Sequence, residues 1–273
     1  MMIDPLGLVP QVLRARGWRL YTKKGRNCMP GRLIDLWQYG GRAILGHNPP
    51  GLLRAIKNNG ERGLFTPLPH FAEDRLHKAL SALLPGRSFR LYDEGTACQA
   101  SLRRALDGLE EPPQWRPFLD KETQAALQSA PVLLPVLPCP FPGAPAVIAY
   151  DPAMTGLPEK FPPSQLLSPL SLLAAARCVY DLLAAPERGN PRLPKTDRAL
   201  QKSAVWKRRG IYLYYIPAKH DKEPVDEGDK NYAALFRHFL EGGFLLPPSP
   251  EEPAILPGEL SPGEDAKLAE LIK

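Results

Sequence analysis

The sequence has little cysteine. Its four residues (Cys28, Cys98, Cys139 and Cys178) are scattered, no pair has CxxC spacing, and no Cys/His cluster of metal-ligand spacing is visible. A disulfide framework and a zinc site are thereby excluded, and free buried thiols are expected. No stretch reads as a transmembrane helix: the longest uncharged run, Thr123 to Tyr150, is broken by six prolines. The first residues, MMIDPLGLVPQVLRARG, place Asp4 and Pro5 where a secretory leader needs a basic start and an unbroken apolar run, so a cytoplasmic protein is expected. Internal repeats are absent, and no Ser/His/Asp order or carboxylate pair stands out. One further gap carries more weight: no lysine lies between Lys121 and Lys160.

Proline, in contrast, is abundant, with 33 in 273 residues, about 12% against roughly 5% in average usage. The prolines are spread among large apolar residues, which points to short elements joined by stiff loops rather than to a disordered tail. Hydrophobic content of 44% and charged content of 23% are ordinary for a globular chain long enough for two modest domains. The net charge of +6 is uneven: residues 1–64 are strongly basic and residues 219–273 strongly acidic. A basic arm suggests nucleic acid, but here the basic residues alternate with Leu, Ile and Trp. Packing of the two ends on each other accounts for the asymmetry better.

Residues 5–16 read as a short amphipathic helix, and "GWRLYTKKGR…RLIDLW" as a hairpin. "PPGLLRAIKNNG" and "FAEDRLHKALSALLPG" carry helical spacing with proline and glycine as start and stop signals. "FRLY", "VLLPVL" and "AVIAY" read as buried strands, with Pro135 an awkward member of the second. "DEGTACQASLRRAL" reads as a turn into a helix, and Lys121–Ser129 as another helix. "SPLSLLAAARCVYDLLAA" is a long helix with Ser168 as N-cap and Pro169 at its first position. Pro186–Lys202 reads as a charged linker, "GIYLYYIPA" as a strand and "NYAALFRHFLEGG" as a helix. "SPGEDAKLAELI" closes the chain as a capped helix with an acidic first turn. Between the strands at 132–137 and 146–150, the stretch "LPCPFPGAPAVIAY" crowds four prolines into the eight residues before Ala146.

The order of these pieces resembles the class III aminotransferases, pyridoxal-phosphate enzymes of fold type I. Leu33-Ile34-Asp35, Leu45-Gly46-His47 and Ala55-Ile56 match the family's N-terminal pattern. "YDEGTACQASLRRA" stands at its phosphate-binding turn, "GAPAVIAY" after its catalytic lysine, and "SPLSLLAAA" at its following helix. The C-terminal stretch from Tyr232 resembles the glutamate-1-semialdehyde aminomutase subgroup. The resemblance implies an α/β fold: a reduced large domain with a few-stranded mixed sheet, plus a small α/β domain built from both chain ends. The expected divisions are 1–64 packing with the C-terminal domain, 65–190 as the large domain and 191–273 as the small domain. It also implies a homodimer.

The departures from that family are as informative. The position of the Schiff-base lysine falls on Pro138, and a proline supplies no primary amine. Only about 30 residues, Asp107 to Leu137, stand where the family places the ring-stacking aromatic and the aspartate that pairs with the ring nitrogen. Gly95 and Thr96 of the phosphate turn remain, but Glu94 and Asp93 set negative charge beside them. Ser164 stands where the family has a threonine reaching the partner subunit's phosphate. The expectation is therefore a non-catalytic binding or structural homologue without a catalytic residue or cofactor, with Gly95, Thr96 and Ser164 as vestigial cofactor contacts. Its partners would be a second copy of itself or another protein. The competing expectations are an active transaminase or aminomutase using pyridoxal phosphate on Lys160, Lys202 or a partner chain, and a nucleic-acid-associated protein using residues 14–62. His47 is expected to be structural, and Trp37, Tyr39, Trp206, Tyr214 and Tyr215 to be core or interface residues.

Overall fold

The structure, a computed structural model, describes residues 5–23, 31–93, 112–154, 156, 161–185, 191–216 and 225–273, with 225–230 as backbone. In chain order its strands are β1 (Val12–Arg16), β2 (Arg19–Thr22), β3 (Arg32–Asp35), β4 (Ser88–Tyr92), β5 (Gln114–Trp115), β6 (Val132–Pro135), β7 (Ala146–Tyr150), β8 (Trp206–Arg209), β9 (Tyr212–Tyr215), β10 (Phe244–Leu245) and β11 (Ala254–Ile255). Its helices are α1 (Pro50–Gly60), α2 (Ala72–Leu83), α3 (Lys121–Gln128), α4 (Pro169–Leu183), α5 (Pro194–Leu200), α6 (Val225–Glu241) and α7 (Pro262–Ile272). The chain divides into two compact units, Met1–His47 with Glu187–Lys273, and Asn48–Pro186. The division falls at His47 rather than at residue 64, because α1 buries its apolar face on α4 together with α2.

The first unit holds two sheets, of order β1-β2-β3-β10 and β11-β9-β8. β1 and β2 form an antiparallel hairpin across Gly17, and β10 adds in parallel to β3 through Phe244↔Ile34 and Leu245↔Asp35. Residues 5–16 are not one helix. A single 3₁₀ turn at Pro5–Leu8 gives way to β1, because pairing with β2 satisfies the backbone that an isolated short helix leaves open. Nor is 186–202 all linker. Its last part is α5, whose first amides are capped from α7: the buried Asp265 accepts from Lys195 N (3.2 Å), Thr196 N (3.1 Å) and Thr196 Oγ1 (2.7 Å). α7 itself begins with a capping box between Ser261 and Glu264, behind Pro262.

In the second unit the strands read from 89–92, 146–150 and 132–137 are neighbours as expected, in the order β4-β7-β6-β5. β4 and β7 run antiparallel in register from Ser88↔Tyr150 to Tyr92↔Ala146, and β6 joins β7 at Val132↔Tyr150 and Leu133↔Ala149. Tyr92, Val132, Ile148, Tyr150 and Phe161 pack as one buried cluster on this sheet. Pro135 is tolerated for a local reason. Leu134 N and Val136 N donate to β5, at Pro113 O and Trp115 O. The missing N–H of Pro135 would face the other side, where pairing with β7 has already ended. At the start of α4, Pro169 occupies the first turn, but Ser168 does not cap the helix. Its hydroxyl instead donates to Leu64 O at 3.1 Å. No helix among the described residues is long and apolar enough to cross a membrane.

Candidate functional site

The loop between β6 and β7 is where the resemblance places the family's lysine. Val136 N donates to Trp115 O (2.9 Å), and Cys139 N donates to Leu137 O (2.8 Å), closing a three-residue turn about Pro138. A turn of that kind wants φ near −75°, which the proline ring supplies without ordering cost. Leu137, Pro138, Cys139 and Ala144 are buried, so both ends of the loop fold inward while Pro142 and Gly143 between them are exposed. At its far end Ser171 Oγ donates to Gly143 O at 2.5 Å and ties the loop to α4. The crowded prolines thus stiffen a closed connection buried at both ends. No amine stands at its apex.

Among the described residues of this unit, Lys57, Lys78 and Lys121 are all exposed on helices. Lys202, considered as a stand-in, is exposed beyond α5 in the other unit; Lys160 lies outside the described residues. Between 112 and 137 the described carboxylates are Asp120 and Glu122. Asp120 is spent as the N-cap of α3, accepting from Thr123 N and Thr123 Oγ1 at 2.8 Å each. The residues present do not fit pyridoxal phosphate held as a covalent adduct at this loop.

Gly95 and Thr96 lie outside the described residues. Ser164 is described, and its role is plain. Its Oγ accepts from Leu91 N (3.1 Å), while Gln165 N donates to Leu91 O (2.8 Å) and Gln165 Oε1 accepts from Asp93 N (2.8 Å). Tyr92 Oη donates to Pro162 O at 2.7 Å. Residues 162–165 therefore satisfy the edge of β4 that no other strand among the described residues covers. Cys139 is a buried thiol, 1% exposed and outside any disulfide. One buried group beside the loop escaped the sequence reading: Arg116, next to β5, is 8% exposed with Nη2 donating to Gln114 Oε1 at 2.7 Å, and it lies in no spacing pattern that would have flagged it.

In the first unit the family-like residues Asp35 and His47 meet. Asp35 is 1% exposed, accepts from Trp37 N and Gln38 N (2.8 Å each), and stands 2.7 Å from His47 Nε2. His47 is anchored at its own backbone by donation to Gly17 O (2.9 Å). The cluster organises the left-handed stretch Gln38–Gly41 after β3.

This mixed α/β architecture is the fold of the fold-type-I aminotransferases. An ornithine δ-aminotransferase of Plasmodium falciparum superposes with a TM-score of 0.62 at 13% identity, over 96% of this chain and 91% of that one. An ω-transaminase from Sphaerobacter thermophilus gives 0.64 at 12%, over 96% and 90%. An acetylornithine aminotransferase from Elizabethkingia anophelis gives 0.63 at 11%, over 96% and 92%. No family model matches the chain. An uncharacterised protein of Treponema pallidum (strain Nichols) is 30% identical over 287 residues, covering 90% of this chain and 89% of that protein. The chain belongs to the family of that protein.

Proposed function

We propose that this chain is an aminotransferase-like protein that has given up Schiff-base chemistry and serves as a binding or structural homologue. The observation that carries the reading is Pro138, buried at the apex of a closed turn where the resemblance requires a lysine. The engagement of Asp120 in a helix cap and of Ser164 along β4 supports it, since neither is left to face a cofactor. The protein acts in the cytoplasm as a homodimer, without bound pyridoxal phosphate. Exposed apolar residues of the second unit, Leu53, Phe65 and Leu68, supply surface for a second copy. The resemblance of the C-terminal stretch from Tyr232 supports a position near the glutamate-1-semialdehyde aminomutase subgroup. Nucleic acid is disfavoured because the β1–β3 part of the basic segment is engaged internally: Arg14 lies over Tyr21, and Arg19 and Arg32 bind Glu264, which leaves Arg54 and Arg62 as its arginines in an exposed groove.

The test is incubation of the full chain with pyridoxal 5′-phosphate, borohydride reduction and intact mass measurement. An unchanged mass is the expected result. A stoichiometric adduct mapped to one lysine overturns the reading, and an adduct on Lys160 or Lys202 establishes the enzymatic alternative in its place.

A further inference from the structure

The second unit carries a groove far richer in positive charge than its surroundings require. It encloses about 250 Å³ between α1, α2 and α4, and Arg54, Arg62, Arg75 and Arg177 all line it. Arg54 and Asn58 are one turn apart on α1, and Arg62 follows just past its end. Arg75 comes from the first turn of α2, directly after Phe71, and Arg177 from the middle of α4. Only Arg177 has an acidic partner, Asp181 at 2.5 Å. Among the described residues, Arg54, Arg62 and Arg75 form no ion pair. The groove's residual charge is therefore about three positive units.

Four exposed guanidinium groups around one groove raise its positive potential, which a bound anion would lower. The construction is specific at its floor. A Cβ at Gly51 would collide with Asp181 Oδ2 and with Arg177 Nε (2.5 Å), so the glycine is what lets the Arg177–Asp181 pair lie against the first turn of α1. The remaining lining is of a different kind. Phe71, 60% exposed, and Leu173 give the groove an aromatic and an aliphatic wall, and Asn58 adds a neutral amide.

We propose that this groove binds a small organic phosphate. Its charged end would be held by Arg54, Arg62 and Arg75, and its planar or apolar body would rest on Phe71 and Leu173. Arginine is suited to this because its planar fork matches phosphate oxygens in pairs, and a surplus of about three charges matches a diphosphate rather than a single carboxylate. The groove is smaller than a typical whole-ligand pocket, so it would take the phosphate end and leave the rest of the ligand over its open face. The proposal is independent of the loss of the lysine, since none of its residues belongs to the loop at Pro138.

The experiment is calorimetric titration of the full chain with ADP, with inorganic pyrophosphate, and with citrate as a carboxylate of matching charge. ADP is expected to bind, pyrophosphate to bind more weakly, and citrate to fail at equal concentration. Arg54→Gln and Arg75→Gln should each weaken ADP by about tenfold or more. Lys78→Gln, an exposed change on α2 outside the groove, should alter it less than about twofold. Unchanged unfolding midpoints would certify that all three variants fold. No heat with ADP up to millimolar concentration overturns the proposal. So does equal weakening by all three substitutions, which would reveal diffuse attraction, and so does a short single-stranded oligonucleotide that displaces ADP and binds more tightly.

Discussion

Arg19 and Glu264, 245 residues apart in the chain, form a two-point ion pair: Arg19 Nη2 donates to Glu264 Oε2 at 2.9 Å and Nε to Oε1 at 3.3 Å. Arg32 adds a third contact at 3.1 Å. The basic N-terminal and acidic C-terminal stretches therefore meet at one carboxylate, which also closes the capping box of α7. Burial pushes the Glu264 carboxyl up, but the Arg19 hydrogen bond and charge and the bonds at Ser261 outweigh it, and its pKa lies below the ordinary glutamate value. A lowered folded pKa gives stability that is present above the unfolded value and lost as pH falls through the folded one.

Glu264→Gln keeps an acceptor for the cap and removes only the charge. It should cost about 1 kcal/mol at neutral pH, and Glu264→Ala, which also loses the cap, about 2 kcal/mol. Urea midpoints measured at pH 7 and near pH 3 should converge for the wild type and Glu264→Gln at the acid end. A Gln variant that keeps the full wild-type acid dependence would assign that dependence to other carboxylates.

Asp35 holds two backbone amides and His47 in a site that is 1% exposed. Asp35→Ala strands all three donors away from water and should cost about 3 kcal/mol, whereas His47→Ala leaves the two amide bonds in place and should cost about 1 kcal/mol. Thermal unfolding of the two variants reads the difference. Equal losses would mean that the imidazole, not the amides, carries the cluster.

Much of the second unit was legible because its strands are short β-branched runs bounded by proline and glycine, as at Val132–Pro135 and Ala146–Tyr150. The helices α1 and α7 announced themselves through proline at the first turn. What escaped were elements whose stability comes from elsewhere in the chain. β8 reads as "WKRR", a charged stretch, and is held by Trp206 against Tyr215 and Phe239, with ring centroids 5.4 and 5.8 Å apart. α5 is capped by Asp265, some 70 residues distant. That the resemblance sets Pro138 at the lysine position could be read from the sequence, but the closed turn around it could not. The arginine groove was invisible for the same reason, since its side chains come from three helices and form no local pattern.

Gly46 carries a positive φ of 96°, and a Cβ there would stand 3.2 Å from Gly17 Cα. The hairpin of β1 and β2 and the His47 segment approach this closely because Gly46 lacks a side chain. Gly46→Ala should cost about 2 kcal/mol through strain and contact together. Denaturant midpoints give the value; a loss under half a kcal/mol would show that the Gly17 turn yields easily.

Pro138→Lys tests whether the loop can carry the amine that the sequence resemblance calls for at this position. The substitution returns a primary amine to the expected position. It also removes the ring that fixes the turn and buries a charged group among Leu137, Cys139 and Ala144. Loss of the rigid φ and desolvation of the ammonium act in the same direction, and the unfolding free energy should fall by about 2–4 kcal/mol. Attachment of pyridoxal 5′-phosphate should still fail, because Asp120 remains committed to α3 and no described carboxylate stands in for a ring-nitrogen partner. Intact mass after borohydride reduction decides the matter beside the unfolding curve. A folded variant with a full adduct on residue 138 would mean that the lysine alone was lost and the rest of the cofactor site persists; a destabilised variant without adduct would place the change in the loop's packing as well as in its chemistry.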